Sequence, residues 1–188
     1  MNNLAMNDIE RNVQELKDRQ DIYDCLVRYC RGMDRFDRDI IRSAYHPDAM
    51  DDHGDYVGGV QGFIDHYFAY HTHYQTKTMH NLGNHTCEID GDTAHCETYW
   101  TFASTNRDKP FYGLSTGRYI DRLEKRNGEW KIAARICVIN SLDNLMDPEG
   151  QTGDMLFVPS TRDRSDPSYM RPLQVDPARV NNKVFAPA

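Results

Sequence analysis

Residues 79–104 read MHNLGNHTCEIDGDTAHCETYWTFAS, and the folding of this run decides how the rest of the chain is arranged. Two stretches rich in Thr, Tyr and Ile, residues 79–89 and 93–104, flank the turn Asp90-Gly91-Asp92. β-Branched and aromatic residues suit a pleated surface, and an Asp-Gly pair supplies the left-handed backbone of a tight hairpin. The run therefore predicts an antiparallel hairpin. Downstream, residues 111–123 and 130–139 share its texture, and TNRDKP and EKRNGE between the strands are turn chemistry. Long strands in succession predict an antiparallel meander.

Upstream the period changes from two to between three and four. Ile9, Val13, Leu16, Tyr23, Leu26, Val27, Cys30 and Met33 predict a long amphipathic helix over 7–33, capped by Asn7 or Asp8 and loosened at its end by Gly32. A short helix is expected over 37–45, stopped by Pro47. AMDDHGDYVGG reads as a short hairpin around Gly54, and VQGFIDHYFAYHTHY as a third helix. Three helices followed by strands make an α+β domain. The expected shape is a cone-like α+β barrel: three N-terminal helices packed on a strongly curved antiparallel sheet that encloses a pocket.

That domain should occupy residues 1–140. From 141 to 188 prolines recur at 148, 159, 167, 172, 177 and 187, so this segment cannot bury a core of its own. Its apolar run Met155, Leu156, Phe157 and Val158 predicts that it packs on the domain, over the pocket mouth, or on a neighbouring subunit.

A formal charge of −7 over 188 residues argues against nucleic-acid binding, which needs a clustered basic face. No stretch is long and apolar enough to span a bilayer, and the first residues lack a secretory signal pattern. A soluble cytoplasmic protein is expected. Cys25, Cys30, Cys87, Cys96 and Cys137 are scattered and odd in number, which suits reduced buried thiols better than disulfides or a zinc site. None shows a paired activating His, so no thiol nucleophile is expected.

The three-helix order, the DGDTA hairpin after a His-bearing strand and the NGEWKI lead-in to the last strand resemble the SnoaL-like branch of the nuclear transport factor 2-like superfamily. RYCRGMD followed by MHNLGN resembles its dehydratase-type members, among them scytalone dehydratase, bile-acid 7α-dehydratase and hexachlorocyclohexane dehydrochlorinase. The resemblance implies a catalytic pair of Asp34 at the end of the first helix and His80 on the first long strand. It also implies Tyr29, five residues before Asp34, and Arg135 on the last strand as partners. By resemblance the chain is a homo-oligomer, a trimer before a dimer.

The chemistry of these groups agrees. Imidazole accepts a proton near neutral pH, and a carboxylate on its other nitrogen fixes the tautomer. A buried Tyr or Arg can donate to a developing oxyanion. The expected activity is a lyase, a dehydratase that removes water from a hydrophobic hydroxy-ketone such as a hydroxysteroid, with no cofactor and no metal. Asn84 shares the face of His80 by simple alternation, and Tyr67, Tyr99, Trp100 and Phe102 are candidate pocket walls, with Tyr23 or Met33 on the helical side.

Other groupings carry less. His71 and His73 are two apart on one helix and point to different sides, so with His66 they make a poor metal site. DDHGD lacks the spacing of a calcium loop and reads as a solvated turn. Rival functions are an isomerase or polyketide cyclase on the same fold, a non-catalytic binding module, or the small subunit of a ring-hydroxylating oxygenase.

Overall fold

A computed structural model describes residues 2–107, 112–144, 158–159 and 164–186, and the side chains of these except at 2–6, 112, 142–144, 159 and 168. Helix α1 (Asn2–Arg35) and the short α2 (Arg38–Ala44) lead into strands β1 (Tyr45–Asp52) and β2 (Val57–Gly59). Helix α3 (Val60–Tyr74) then carries the chain to four long strands: β3 (Gln75–Asp90), β4 (Thr93–Asn106), β5 (Tyr112–Arg126) and β6 (Glu129–Asn144). A two-residue strand, β7 (Val158–Pro159), pairs with β6.

The order across the sheet is β2-β1-β6-β5-β4-β3, a curled, unclosed sheet with the three helices on its concave side. The α+β class is the one expected. The sheet is mixed rather than wholly antiparallel, because β1 enters beside β6 and runs parallel to it. Its meander β3–β6 is antiparallel throughout.

The helical period buries only part of α1. Ile22, Cys25, Leu26, Tyr29, Cys30 and Met33 face the sheet, whereas Ile9, Val13 and Leu16 are exposed on the part that precedes them. The helix starts before Asn7 and Asp8, which therefore lie inside it rather than capping it. Asp18 docks α1 on the sheet by accepting 2.8 Å hydrogen bonds from Lys125 Nζ and Trp130 Nε1. No described helix is long and apolar enough to cross a membrane.

β6 continues past the expected end at 139, because residues 141–144 pair with 113–116 of β5. On the convex face, Ile120, Ile136 and Val138 bury themselves against Leu173, with Val158 and Val175 at the margin. Arg118 donates a fork of two hydrogen bonds, 3.1 and 2.8 Å, to Asp166. The described tail then runs on to β1 and α3, where Arg179 pairs with Asp52 and Lys183 O accepts from His66 Nδ1 at 2.7 Å. Phe185 ends against Tyr70 and Tyr74. Of the apolar run expected to anchor the tail, Met155, Leu156 and Phe157 lie outside the described residues.

Candidate active site

The end of α1 sets the first functional group. Phe36 adopts a left-handed backbone (φ 54°), and Asp37 N–H donates to Gly32 O at 2.9 Å, a helix-terminating pattern usually made with glycine. Asp37 also caps α2, accepting from the backbone N–H groups of Asp39 and Ile40. Gly32 does not loosen the helix. A Cβ there would stand 2.6 Å from Ile41 Cγ1, so its bareness lets α2 cross tightly over α1. With capping assigned to Asp37, the Asp34 carboxylate is free to reach β3.

Both of its oxygens meet one residue. His80 N–H donates to Asp34 Oδ2 at 2.8 Å, and His80 Nδ1 lies 2.7 Å from Asp34 Oδ1. A carboxylate at Nδ1 holds the proton there and leaves the lone pair on Nε2, which has no hydrogen-bond partner among the described residues. Burial alone would raise the Asp34 carboxyl, but the hydrogen bonds and charge of His80 outweigh it, so it lies below its ordinary value. The two side chains are 14 % and 7 % exposed, screened from bulk water yet reachable.

Tyr29 stands beside this pair, its ring edge-on to the His80 imidazole at 6.3 Å. Its hydroxyl is buried and has no hydrogen-bond partner among the described residues, an arrangement that costs stability unless a ligand completes it. Burial holds the phenol well above its ordinary pKa, with the charge of Arg135 opposing, so it remains a donor. Trp100 Nε1 is a second buried donor without a partner among the described residues.

Arg135 differs from its expected role. It is wholly buried, forks onto Asp121 at 2.7 and 2.9 Å, and lies between the faces of Tyr29 and Tyr119 at 4.2 and 4.0 Å. Its remaining nitrogen reaches Tyr45 Oη at 3.4 Å. It therefore acts on Tyr29 rather than offering its fork to a ligand. An inward-facing Arg among apolar positions needs a carboxylate opposite, and the β5–β6 register supplies Asp121.

From Tyr45 the network continues to residues read as a solvated turn. Tyr45 Oη donates to Asp51 Oδ2 at 2.6 Å, and His53 Nδ1 is 2.9 Å from Asp51 Oδ1. Asp51, Asp52 and His53 are buried because β1 is covered by α3, whose Tyr67 donates to His53 O. Burial disfavours charge on His53, but Cys137 and Asp51 outweigh it and push its pKa up to about 10. No alternation in the sequence could have signalled this, because β1 buries adjacent residues at both of its ends.

Two expected wall residues face outward. A β-bulge lies in β3, where Leu82 pairs with Trp100 but His85 with Thr98. It places Gly83 and Asn84 together on the outside, so His85 takes the inward position expected of Asn84. Tyr99 is 44 % exposed on the convex face, because Trp100 is the inward member of that pair. Trp100, Phe102 and Tyr67 do line the concave side; Phe102 lies 4.8 Å from His80, ring to ring. Tyr23 meets His85 edge-on, and Met33 is buried in the core.

The α3 histidines disperse. His66 bonds to the tail, His71 to Gln75, and His73 lies exposed. Phe36, Arg38, Asp65, Phe68 and Arg107 line an open groove beside α3 that excludes the His80–Asp34 pair. Ring contacts from Phe36 through His71 and Phe102 link that groove to His80.

The fold recurs in known structures. A LinA-type3 hexachlorocyclohexane dehydrochlorinase from Novosphingobium barchaimii superposes with TM-score 0.66 at 19 % identity, over 72 % of this chain and 94 % of that one. A proposed scytalone dehydratase from Novosphingobium aromaticivorans gives TM-score 0.65 at 15 % identity, over 71 % and 91 %. The Kfla4162 protein of Kribbella flavida gives 0.63 at 17 %, over 69 % and 95 %. At such identities the likeness concerns the fold alone. Among curated protein sequences none matches. The family model for the SnoaL-like domain matches residues 14–136, nearly the whole helix-and-meander unit, and the chain belongs to that family.

Proposed function

We propose that this SnoaL-like domain is a cofactor-independent lyase that eliminates water from a hydrophobic hydroxy-ketone, with hydroxysteroids as the first class to test. The observation that carries the reading is the 2.7 Å contact of His80 Nδ1 with Asp34, which leaves Nε2 unbonded, with the Tyr29 ring edge-on to the imidazole at 6.3 Å. His80 Nε2 takes the acidic C–H proton, and the electron pair moves onto the carbonyl oxygen. Tyr29 Oη donates to that oxygen as charge develops there. The electron pair then returns to expel the hydroxyl group, which takes the imidazolium proton and leaves as water. Asp34 stabilises the imidazolium between the two proton transfers. The dehydratase and dehydrochlorinase names among the structural relatives support an elimination, and the aromatic concave wall suits an apolar skeleton.

The test is mass-spectrometric detection of dehydrated product across a panel of hydroxy-ketones. His80→Ala and Asp34→Asn should each lower kcat by about a hundredfold to ten-thousandfold, and Tyr29→Phe by about a hundredfold, with folding retained. Turnover of His80→Ala near wild type would end this mechanism. Deuterium uptake into substrate with no water lost would favour an isomerase.

A further inference from the structure

A second cluster of chemically capable side chains lies on the same strand as His80, beyond the bulge and towards the β3–β4 turn. Cys87 of β3 sits directly opposite Cys96 of β4, and His85 is two residues from Cys87 on the same inward side. One ligating atom from each of the three lies within 4.8 Å of the others. A tetrahedral zinc ion with Zn–S of about 2.3 Å and Zn–N of about 2.0 Å holds its ligands roughly 3.5–3.8 Å apart, so closure needs about an ångström of side-chain movement.

The surroundings are those of a ligand set. His85 Nδ1 is held 2.8 Å from Thr98 Oγ1, which orients the ring and leaves Nε2 as the coordinating nitrogen. That Nε2 is buried and makes no well-formed hydrogen bond among the described residues, although the His85 and Cys87 side chains interact. The Tyr23 ring packs edge-on against the imidazole, and Arg19 anchors the strand through a 2.8 Å bond to Cys87 O. Cys96 is fully buried while Cys87 is partly exposed, giving an entry side. Without an ion, the arrangement leaves a buried nitrogen unsatisfied next to two thiols. Two thiolates and an imidazole are soft donors, which select zinc over magnesium or calcium.

We propose that His85, Cys87 and Cys96 bind a zinc(II) ion, with a water molecule completing the tetrahedron. The site differs from the sequence expectation of no metal and is independent of the proposed reaction at His80. Zinc binds both sulfurs as thiolates. The ion ties β3 to β4 next to their turn.

Cobalt(II) titration of the reduced, chelator-stripped full-length chain tests this directly. One equivalent should produce thiolate-to-cobalt charge-transfer absorption and the intense visible bands of a tetrahedral site, which zinc should then abolish. The charge-transfer bands should vanish in the Cys87→Ser Cys96→Ser double variant, weaken in His85→Ala, and persist in His73→Ala, with circular dichroism showing each variant folded. Zinc in excess should raise Tm of the wild type and leave the double variant unchanged. Two outcomes overturn the proposal: no charge-transfer bands in the reduced wild type, or the same bands in the double variant. If instead the two thiols form a disulfide that persists in reductant, the pair is redox chemistry and the zinc site is rejected.

Discussion

His80 and His53 each face a carboxylate, yet their surroundings assign them different work. His80 keeps Nε2 unbonded, whereas His53 is buried among Phe63, Tyr67 and Tyr119, where Asp51 and Cys137 favour its charged form. Because its folded pKa is raised from 6.5 to about 10, its contribution to stability is complete below pH 6.5. Between those values the unfolded chain loses the proton while the folded protein keeps it, so stability falls as pH rises. The urea midpoint of the wild type should therefore drop between about pH 6 and about pH 9.5, and His53→Gln should show a flatter profile. Parallel profiles would mean that His53 is neutral in the fold. Of these two pairs the sequence displayed only one. Asp34 and His80 stand in a recognisable motif order, while Asp51 and His53 hide in a polar run that only α3 turns into interior. Arg135 was visible, but its commitment to Asp121 depends on strand register.

At the scale of elements, period and turn chemistry made the helices and the meander legible, because each is written in local sequence. What they missed was set by partners. The parallel contact of β1 with β6, the bulge at Gly83 and the early start of α1 carry no local period. Close approaches belong to the same class. Gly117 of β5 lies under the Trp100 indole, and a Cβ there would stand 2.1 Å from Val138 O and 2.4 Å from Trp100 Cζ2. The carbonyl is fixed in the ladder, so the strands or the indole must move. Gly117→Ala should cost about 1–3 kcal/mol in urea unfolding and alter the near-ultraviolet signal of Trp100. A change below about 0.5 kcal/mol would show that the β4–β5–β6 face yields easily.

For the whole molecule, the tail extends the fold to the convex side of the sheet. Its composition supplies no core of its own, but Leu173 completes a small one with Ile120, Ile136 and Val138, and Arg122 Nε donates to Leu173 O at 3.1 Å. Composition alone cannot reveal such lending, since the partner residues sit far away in sequence. If the tail belongs to the cooperative unit, Leu173→Ala should lower global stability by about 2–5 kcal/mol in a single urea transition. Loss of less than about 0.5 kcal/mol, or a separate early transition, would show that the tail opens independently.

The bulge in β3 also bears on how this chain can be edited by insertion and deletion. Before it, even-numbered residues such as His80 and Leu82 face inward; after it, odd-numbered ones such as His85 and Cys87 do. The change of parity is confined to Gly83 and Asn84. Losing one of those two residues would straighten the strand while keeping every neighbour on its present side. Losing Thr86 instead would turn Cys87 and Ile89 outward, or turn His85 outward if the bulge gave up its extra residue. Two halves of one strand, one bearing His80 and the other His85 and Cys87, can thus vary in length at the joint between them without turning either set outward.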